Sequence, residues 1–348
     1  MSAIGWLSQI FPLVYVVLAI PAGMLLDRWF KPSLAFGAVL TALGAVVRLG
    51  GNSFTMVVIG QVIIAIAQPF VLNAVTKVAI TNVSERDRPN GIAAGSAGIF
   101  GGMLLALILG AAFGGDHIPQ LLLVEAAFAV LASVCLVLTL VRRDPVFADS
   151  AAESAVVDAP LRKVWADKYI RLLVAIVFVG FGIFVALTTW LEALLEPAGV
   201  SAQDSGVLLI AMVVAGVIGS AVLPAWVLKR GKALTLIGVA VGVTAFGCLV
   251  LAIFPSFAAG LPVSIVIGLF LLATLPVVLE MTERRAGAAS GTATALIWLA
   301  GNAGGLVVAI LVQQLLDYPA VAFLAMGVIV LIAVPLVLKL SRWPVDTA

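Results

Sequence analysis

A few polar side chains interrupt long apolar runs, and they are the first candidates for chemistry. Glu125, in LLLVEAAFAV, is the one carboxylate placed well inside such a run. An ionised carboxylate in an apolar medium is costly, so burial would raise its pKa and suit it to carrying a coupling proton. It would serve equally well as a neutral hydrogen-bonding group. Gln61 and Gln68 are seven residues apart in GQVIIAIAQPF. On a helix they project about 20° apart, from one stripe. They are either substrate contacts or partners in an interhelical hydrogen bond worth about 1 kcal/mol. Pro69 follows Gln68 and frees a nearby backbone carbonyl, whereas Asn73 and Lys77 turn away from that stripe. Trp190 lies beside Thr188, Thr189 and Glu192. It suits either an interfacial belt or stacking on a cation. Trp298 and Asn302 share a helix face within LIWLAGNAGG, whose glycines equally suit close packing.

A second constellation is GMLLDRWFK, residues 23–31, where an apolar run ends on Asp27 and Arg28 and Lys31 follows. Its plainest reading is a topology signal. Elsewhere chemistry is sparse. Cys135 and Cys248 fall in separate apolar runs, which suggests neither a disulfide nor a metal site. No His/Cys/Asp cluster has metal-ligand spacing, and no Gly-x-x-x-x-Gly-Lys phosphate loop is present, so we expect no metal, no cofactor and no enzyme. His117 sits in a polar turn and Glu280 at a helix end, where we expect it to be solvated. The glycines at 91, 95, 98 and 102 recur at i, i+4, i+7 and i+11, and predict a smooth stripe for close helix contact.

The elements that must position these residues follow from composition. Of the 348 residues 63% are hydrophobic and 10% charged, against about 25% charged in soluble domains. Lipid is the solvent this chain fits. The net charge of +2 implies no nucleic-acid partner. The first residues, MSAIGWLSQIF, show no basic region or cleavage site of a removable signal peptide. Spanning segments in lipid must satisfy their own backbone, so they are helices or closed barrels, and continuous runs of about 20 apolar residues read as helices. We read eleven: 6–27, 33–50, 54–78, 91–113, 118–141, 169–194, 203–228, 233–254, 259–280, 287–314 and 318–340. The polar piece 142–168 divides them into a bundle over 1–141 and a bundle over 169–348. Its first half resembles a flexible linker. Its second half, LRKVWADKYIRLL, reads as a short interfacial helix.

Eighteen of the nineteen Lys and Arg residues fall on one set of connections, Arg48 being the exception. The positive-inside rule makes that side cytosolic, with the linker and C-terminus inside and a multi-pass placement in the cell membrane. An internal repeat is visible too. From Arg28 to residue 141, and from Arg230 in VLKRGK to residue 340, four helices fill intervals of roughly equal length. Upstream of those basic turns, the second half has two helices and the first only one. Either the product starts at an internal Met or the eleven-span chain is genuine.

Two helical halves, a linker and a Gly-x-x-x-Asp-Arg turn together resemble the major facilitator superfamily. The resemblance implies an all-α membrane fold of two pseudo-symmetric bundles. The present spans would be helices 2–12, with helix 1 missing. Gly23, Asp27, Arg28 and Lys31 match the superfamily's loop pattern, Phe30 stands where Gly is expected, and Pro32 replaces the last basic residue. By that resemblance Asp27 faces the start of helix 11, near 286–290, and latches the two halves while the cavity opens outward. The stretches IGWLSQIFPLVYVVLAIPAGMLLDRW and GQVIIAIAQPFVLNAVTKVA are similar to the branch containing the feline leukaemia virus subgroup C receptors. That branch implies choline-, ethanolamine- or heme-related transport. Its helix 5 glutamine has no counterpart in GSAGIFGGML, and segment 91–113 lacks the Pro of the antiporter pattern.

The expected function is secondary transport of a small solute by alternating access, by a monomer. The solute would be cationic, zwitterionic or lipophilic, and coupling would be to a proton, to sodium or to neither. Two alternatives stand beside it: a non-transporting membrane receptor or sensor, and an inactive truncated transporter.

Overall fold

The computed structural model describes residues 3–50, 53–113, 117–142 and 160–343. The linker's first half, 143–159, lies outside the described residues. The described residues form fourteen α-helices, with no strand among them. They are α1 (Ala3–Arg28), α2 (Phe30–Arg48), α3 (Phe54–Leu72), α4 (Ala74–Asn82), α5 (Arg88–Phe113), α6 (Ile118–Arg142), α7 (Pro160–Ala166), α8 (Lys168–Leu195), α9 (Ala202–Leu228), α10 (Ala233–Ile253), α11 (Phe257–Ala286), α12 (Ser290–Gln313), α13 (Pro319–Leu331) and α14 (Ala333–Leu340).

Ten stretches of the described residues are long and apolar enough to cross a membrane. One of them, Phe257–Gln313, is two helices, α11 and α12, joined by a 3-10 turn at Gly287–Ala289. Each of the eleven expected spans therefore has a helical counterpart. Gly287 has φ +52°, in the left-handed region, and turns the chain between the two helices. Two spans are broken locally. α3 gives way to α4 at Asn73, four residues after the in-helix Pro69, and α13 gives way to α14 at Ile332. A proline removes the rung to the carbonyl four residues before it, so Pro335 fits the break at Ile332 just ahead of it.

Contacts within the chain divide it into two compact units. The first holds 1–88, 105–166 and 283–299. The second holds 89–104, 167–282 and 300–348. In the first unit α2 packs on α3 and α6, and α3 packs on α1. Glycines allow the closest approach. A Cβ on Gly60 would lie 2.5 Å from the Gly44 carbonyl oxygen, and one on Gly44 would lie 2.7 Å from that of Gly60. Polar groups are satisfied across helices. Ser133 Oγ donates to the Ala38 carbonyl at 2.7 Å, and the buried Asn73 donates to the Ala19 carbonyl at 3.0 Å and accepts from the Tyr15 hydroxyl. The short helix α7 buries Val164 and leaves Arg162, Lys163 and Trp165 exposed, the one-sided pattern of an interfacial helix.

In the second unit α8 packs against α9, α13 and α14, and α10 against α9, α13 and α14. Asp167 caps α8 by accepting from the Tyr169 N–H at 2.8 Å, and Ser201 caps α9 by accepting from the Asp204 N–H at 3.1 Å. Backbones meet where side chains vanish. A Cβ on Gly219 would lie 2.0 Å from the Leu269 carbonyl oxygen, and one on Gly304 would lie 2.0 Å from that of Phe178. The expected glycine stripe of α5 is different. At Gly98 and Gly102 a Cβ would meet nothing within 4 Å. Spacing puts the glycines on one face; it does not say that a neighbour presses on that face.

Outward-facing positions are strongly apolar, as on α6, where Phe128, Leu131 and Val141 stand exposed. In water such a surface would aggregate; in hydrocarbon it is the matched solvent interface.

Candidate functional site

The densest polar construction in the first unit surrounds Asp27, in the last turn of α1. Helix α12 begins at Ser290 with first-turn N–H groups that have no partner inside the helix. Asp27 supplies the partners from outside. Its Oδ1 accepts from the Gly291 N–H at 2.9 Å, and its Oδ2 from the Thr292 N–H at 2.8 Å and the Thr292 hydroxyl at 2.7 Å. The aspartate therefore acts as an N-cap borrowed from a different helix, and its charge complements the helix dipole. Lys77 of α4 completes the set, with Nζ at 2.7 Å from Oδ1; the two side chains are 13% and 11% exposed. So little exposure makes this a desolvated pair, and its satisfied hydrogen bonds are what make it tolerable.

The close approach rests on the glycine four residues before the aspartate. A Cβ on Gly23 would sit 2.7 Å from both the Gly291 carbonyl oxygen and Ala295 Cβ. A Cβ on Gly291 would sit 2.5 Å from Asp27 Oδ1. Gly23 and Gly291 thus let two backbones touch so that a short carboxylate can reach N–H groups. Nearby, the Thr76 and Thr294 hydroxyls are 2.9 Å apart and buried, and Arg88 reaches Glu283 at 3.7 Å and Glu85 at 3.6 Å. The remaining motif residues lie elsewhere. Arg28 stacks over the Trp29 ring at 4.7 Å from its centroid, and Lys31 is half-buried.

Sequence reasoning missed Lys77 and Thr292 as parts of this construction. Lys77 carried a signal, because a lysine inside VLNAVTKVAI needs a partner. Thr292 carried none. Glu280 is a correction: expected to be solvated, it is 1% exposed. The helix runs six residues past it to Ala286, so Glu280 is not at an end.

The other candidates are distributed. Gln61 and Gln68 are half-buried on α3, and Gln68 Oε1 is buried with no hydrogen-bond partner among the described residues. Trp190 on α8 donates its indole N–H to the Ala309 carbonyl of α12 at 3.0 Å, so its polar edge is already used. Trp298 is buried and Asn302 half-buried, one helical turn apart on α12. Glu125 on α6 forms an ion pair with Arg48 on α2 at 3.3 Å. That pairing accounts for the one basic residue off the basic side. In the second unit, Phe100, Phe181 and Phe184 with Thr274 line an apolar cavity that includes none of these candidates.

Comparison with known proteins decides the family. A family model described as Major Facilitator Superfamily matches residues 1–309. The chain belongs to the major facilitator superfamily. It is similar to the zebrafish (Danio rerio) protein named solute carrier family 49 member A3, at 27% identity over 90% of this chain and 70% of that one. A shorter stretch is 37% identical to the human choline/ethanolamine transporter FLVCR2, over 22% of this chain and 15% of that one. The fold matches that of an MFS transporter, FucP, crystallised in the outward conformation, with TM-score 0.79 and 17% identity over 97% of this chain and 90% of that one. These relatives are membrane transporters, and the chain is a multi-pass membrane protein of that type.

Proposed function

We propose that the protein is a secondary active transporter that moves a small solute by alternating access, with Asp27 as a conformational latch. The observation that carries this reading is the capping of α12 by Asp27. Three hydrogen bonds from α12 and one ion pair from α4 converge on a single carboxylate near the end of α1, and the three hydrogen bonds form or break together if α1 and α12 part. In this reading the bundles over 1–141 and 169–348 rock about the cavity, joined by a cytosolic linker. Gly23 allows the approach, Lys77 shares the charge, and Arg28 and Lys31 hold the loop on the cytosolic side.

Solute contacts are assigned to Gln61, Gln68, Trp190, Trp298 and Asn302, with Gln68 foremost. Its buried Oε1 has acceptor capacity unused among the described residues, which suits a solute presenting an N–H or O–H donor. Choline and ethanolamine, named for the relative FLVCR2, are the first solutes to test. Glu125 is the candidate for proton coupling. It pairs with Arg48 at 3.3 Å.

Uptake into proteoliposomes, with and without a pH gradient, tests the whole reading. Asp27→Asn should cut uptake roughly tenfold or more, the size of a coupling of about 1–3 kcal/mol, while expression and insertion persist. Normal uptake by that variant would overturn the latch.

A further inference from the structure

We propose that a basic recess between the start of α8 and the end of α14 binds the phosphate-bearing headgroup of an anionic phospholipid. Lys168 and Arg171 from α8, Lys339 from α14, and Arg342 and Trp343 just beyond it line this recess of about 420 Å³, together with Leu172. Five other cations of the described residues have a visible use. Lys77 pairs with Asp27, Arg88 with Glu283 and Glu85, and Arg48 with Glu125, whereas Arg28 and Arg230 stack on tryptophans. The four cations here have no carboxylate within 4.0 Å among the described residues.

Their placement also runs against the helix field. Lys339 sits in the last turn of α14, where the dipole welcomes a cation. Lys168 and Arg171 sit in the first turn of α8, where the dipole is positive and repels them. Asp167 offsets part of this by capping the Tyr169 N–H. One acidic neighbour against four cations leaves the recess strongly positive, and an entering phosphate relieves that repulsion.

The surroundings select a lipid over a free anion. Leu338 and Val334 stand exposed one turn apart on α14, leading away from the cations, and Trp343 is 38% exposed at the rim. This is a charged mouth, an interfacial tryptophan and an apolar track in series, the order in which a phospholipid presents headgroup, glycerol and acyl chain. Basic pockets between spanning helices recognise anionic headgroups in this way.

The test uses the full-length protein in phosphatidylcholine nanodiscs doped with phosphatidylglycerol, with retained lipid read by native mass spectrometry after delipidation. Wild type should retain phosphatidylglycerol over phosphatidylcholine. The Lys168→Gln/Arg171→Gln/Lys339→Gln/Arg342→Gln variant should lose roughly tenfold or more in that preference, each surface cation contributing several-fold. Lys168→Arg/Lys339→Arg should retain it. So should Lys229→Gln/Arg230→Gln/Lys232→Gln, which removes as much of the basic side's charge less one. Millimolar inorganic phosphate should fail to displace the lipid. Equal retention by the fourfold variant, equal loss in the 229–232 variant, or displacement by inorganic phosphate would each overturn the proposal, the last by assigning the recess to a free anion.

Discussion

Asp27 shows how a single short side chain organises a large contact. A carboxylate has about four acceptor positions, and here it receives two backbone N–H groups, a hydroxyl and an ammonium. Removing the charge leaves Lys77 partly buried without its partner, so Lys77→Gln introduced together with Asp27→Asn should be less damaging to thermal stability than Asp27→Asn alone; a double-mutant cycle measures the difference. Gly23 makes a sharper prediction. The Cβ in Gly23→Ala would meet a backbone oxygen and another Cβ at 2.7 Å, so uptake should fall severalfold, whereas Gly98→Ala, which meets nothing within 4 Å, should transport normally. The Arg48–Glu125 pair is a quarter to a third exposed, so its worth is discounted for solvent to about 1 kcal/mol or less. Glu125→Gln should lower stability modestly. If it leaves pH-driven uptake unchanged, the proton-carrying role is excluded.

At the scale of elements, the helices are held by two devices suited to lipid, where apolar packing alone has no water to escape from. One is glycine-mediated backbone contact, as at Gly219 against Leu269 and at Gly268, where a Cβ would lie 2.0 Å from the Met212 carbonyl oxygen. The other is hydrogen bonding across helices, as between Ser133 and Ala38 and between Trp190 and Ala309. Gly268→Ala should therefore lower the thermal midpoint in detergent by several degrees, because the Met212 atoms it would meet are all backbone and cannot swing aside. Gly242→Ala, with open space around it, should not; a fluorescence melt of the two variants decides. The α3–α4 break places Asn73 where its amide ties to α1 and its neighbour Thr76 faces Thr294, so an interruption that looks like a local flaw positions Lys77 for its contact.

At the scale of the whole molecule, the proposed orientation sets the basic residues on the cytosolic side. It can be read directly on a background of Cys135→Ser and Cys248→Ser. In that background Ser341→Cys should react with an impermeant maleimide only from the cytosolic face, and Tyr318→Cys only from the outer face. The reverse pattern would remove the latch along with the topology. The apolar exterior and the eleven helical counterparts of the expected spans make lipid the environment in which all of these contacts operate.

Composition and hydropathy were enough to establish an all-α membrane fold, the places of its eleven spans, and the Gly-x-x-x-Asp turn as a place of interest. These are one-dimensional properties: run length, charge asymmetry and the spacing of a glycine before an aspartate. Partners across the chain were not legible in it. Asp27 meets Thr292 over 265 residues of sequence, and Lys77 over 50. Arg48 meets Glu125 only because α2 and α6 lie side by side. Which glycines touch a backbone, which tryptophan N–H is already bonded and which carboxylate is buried depend on neighbours from distant segments, and in a bundle those neighbours are chosen by packing in three dimensions.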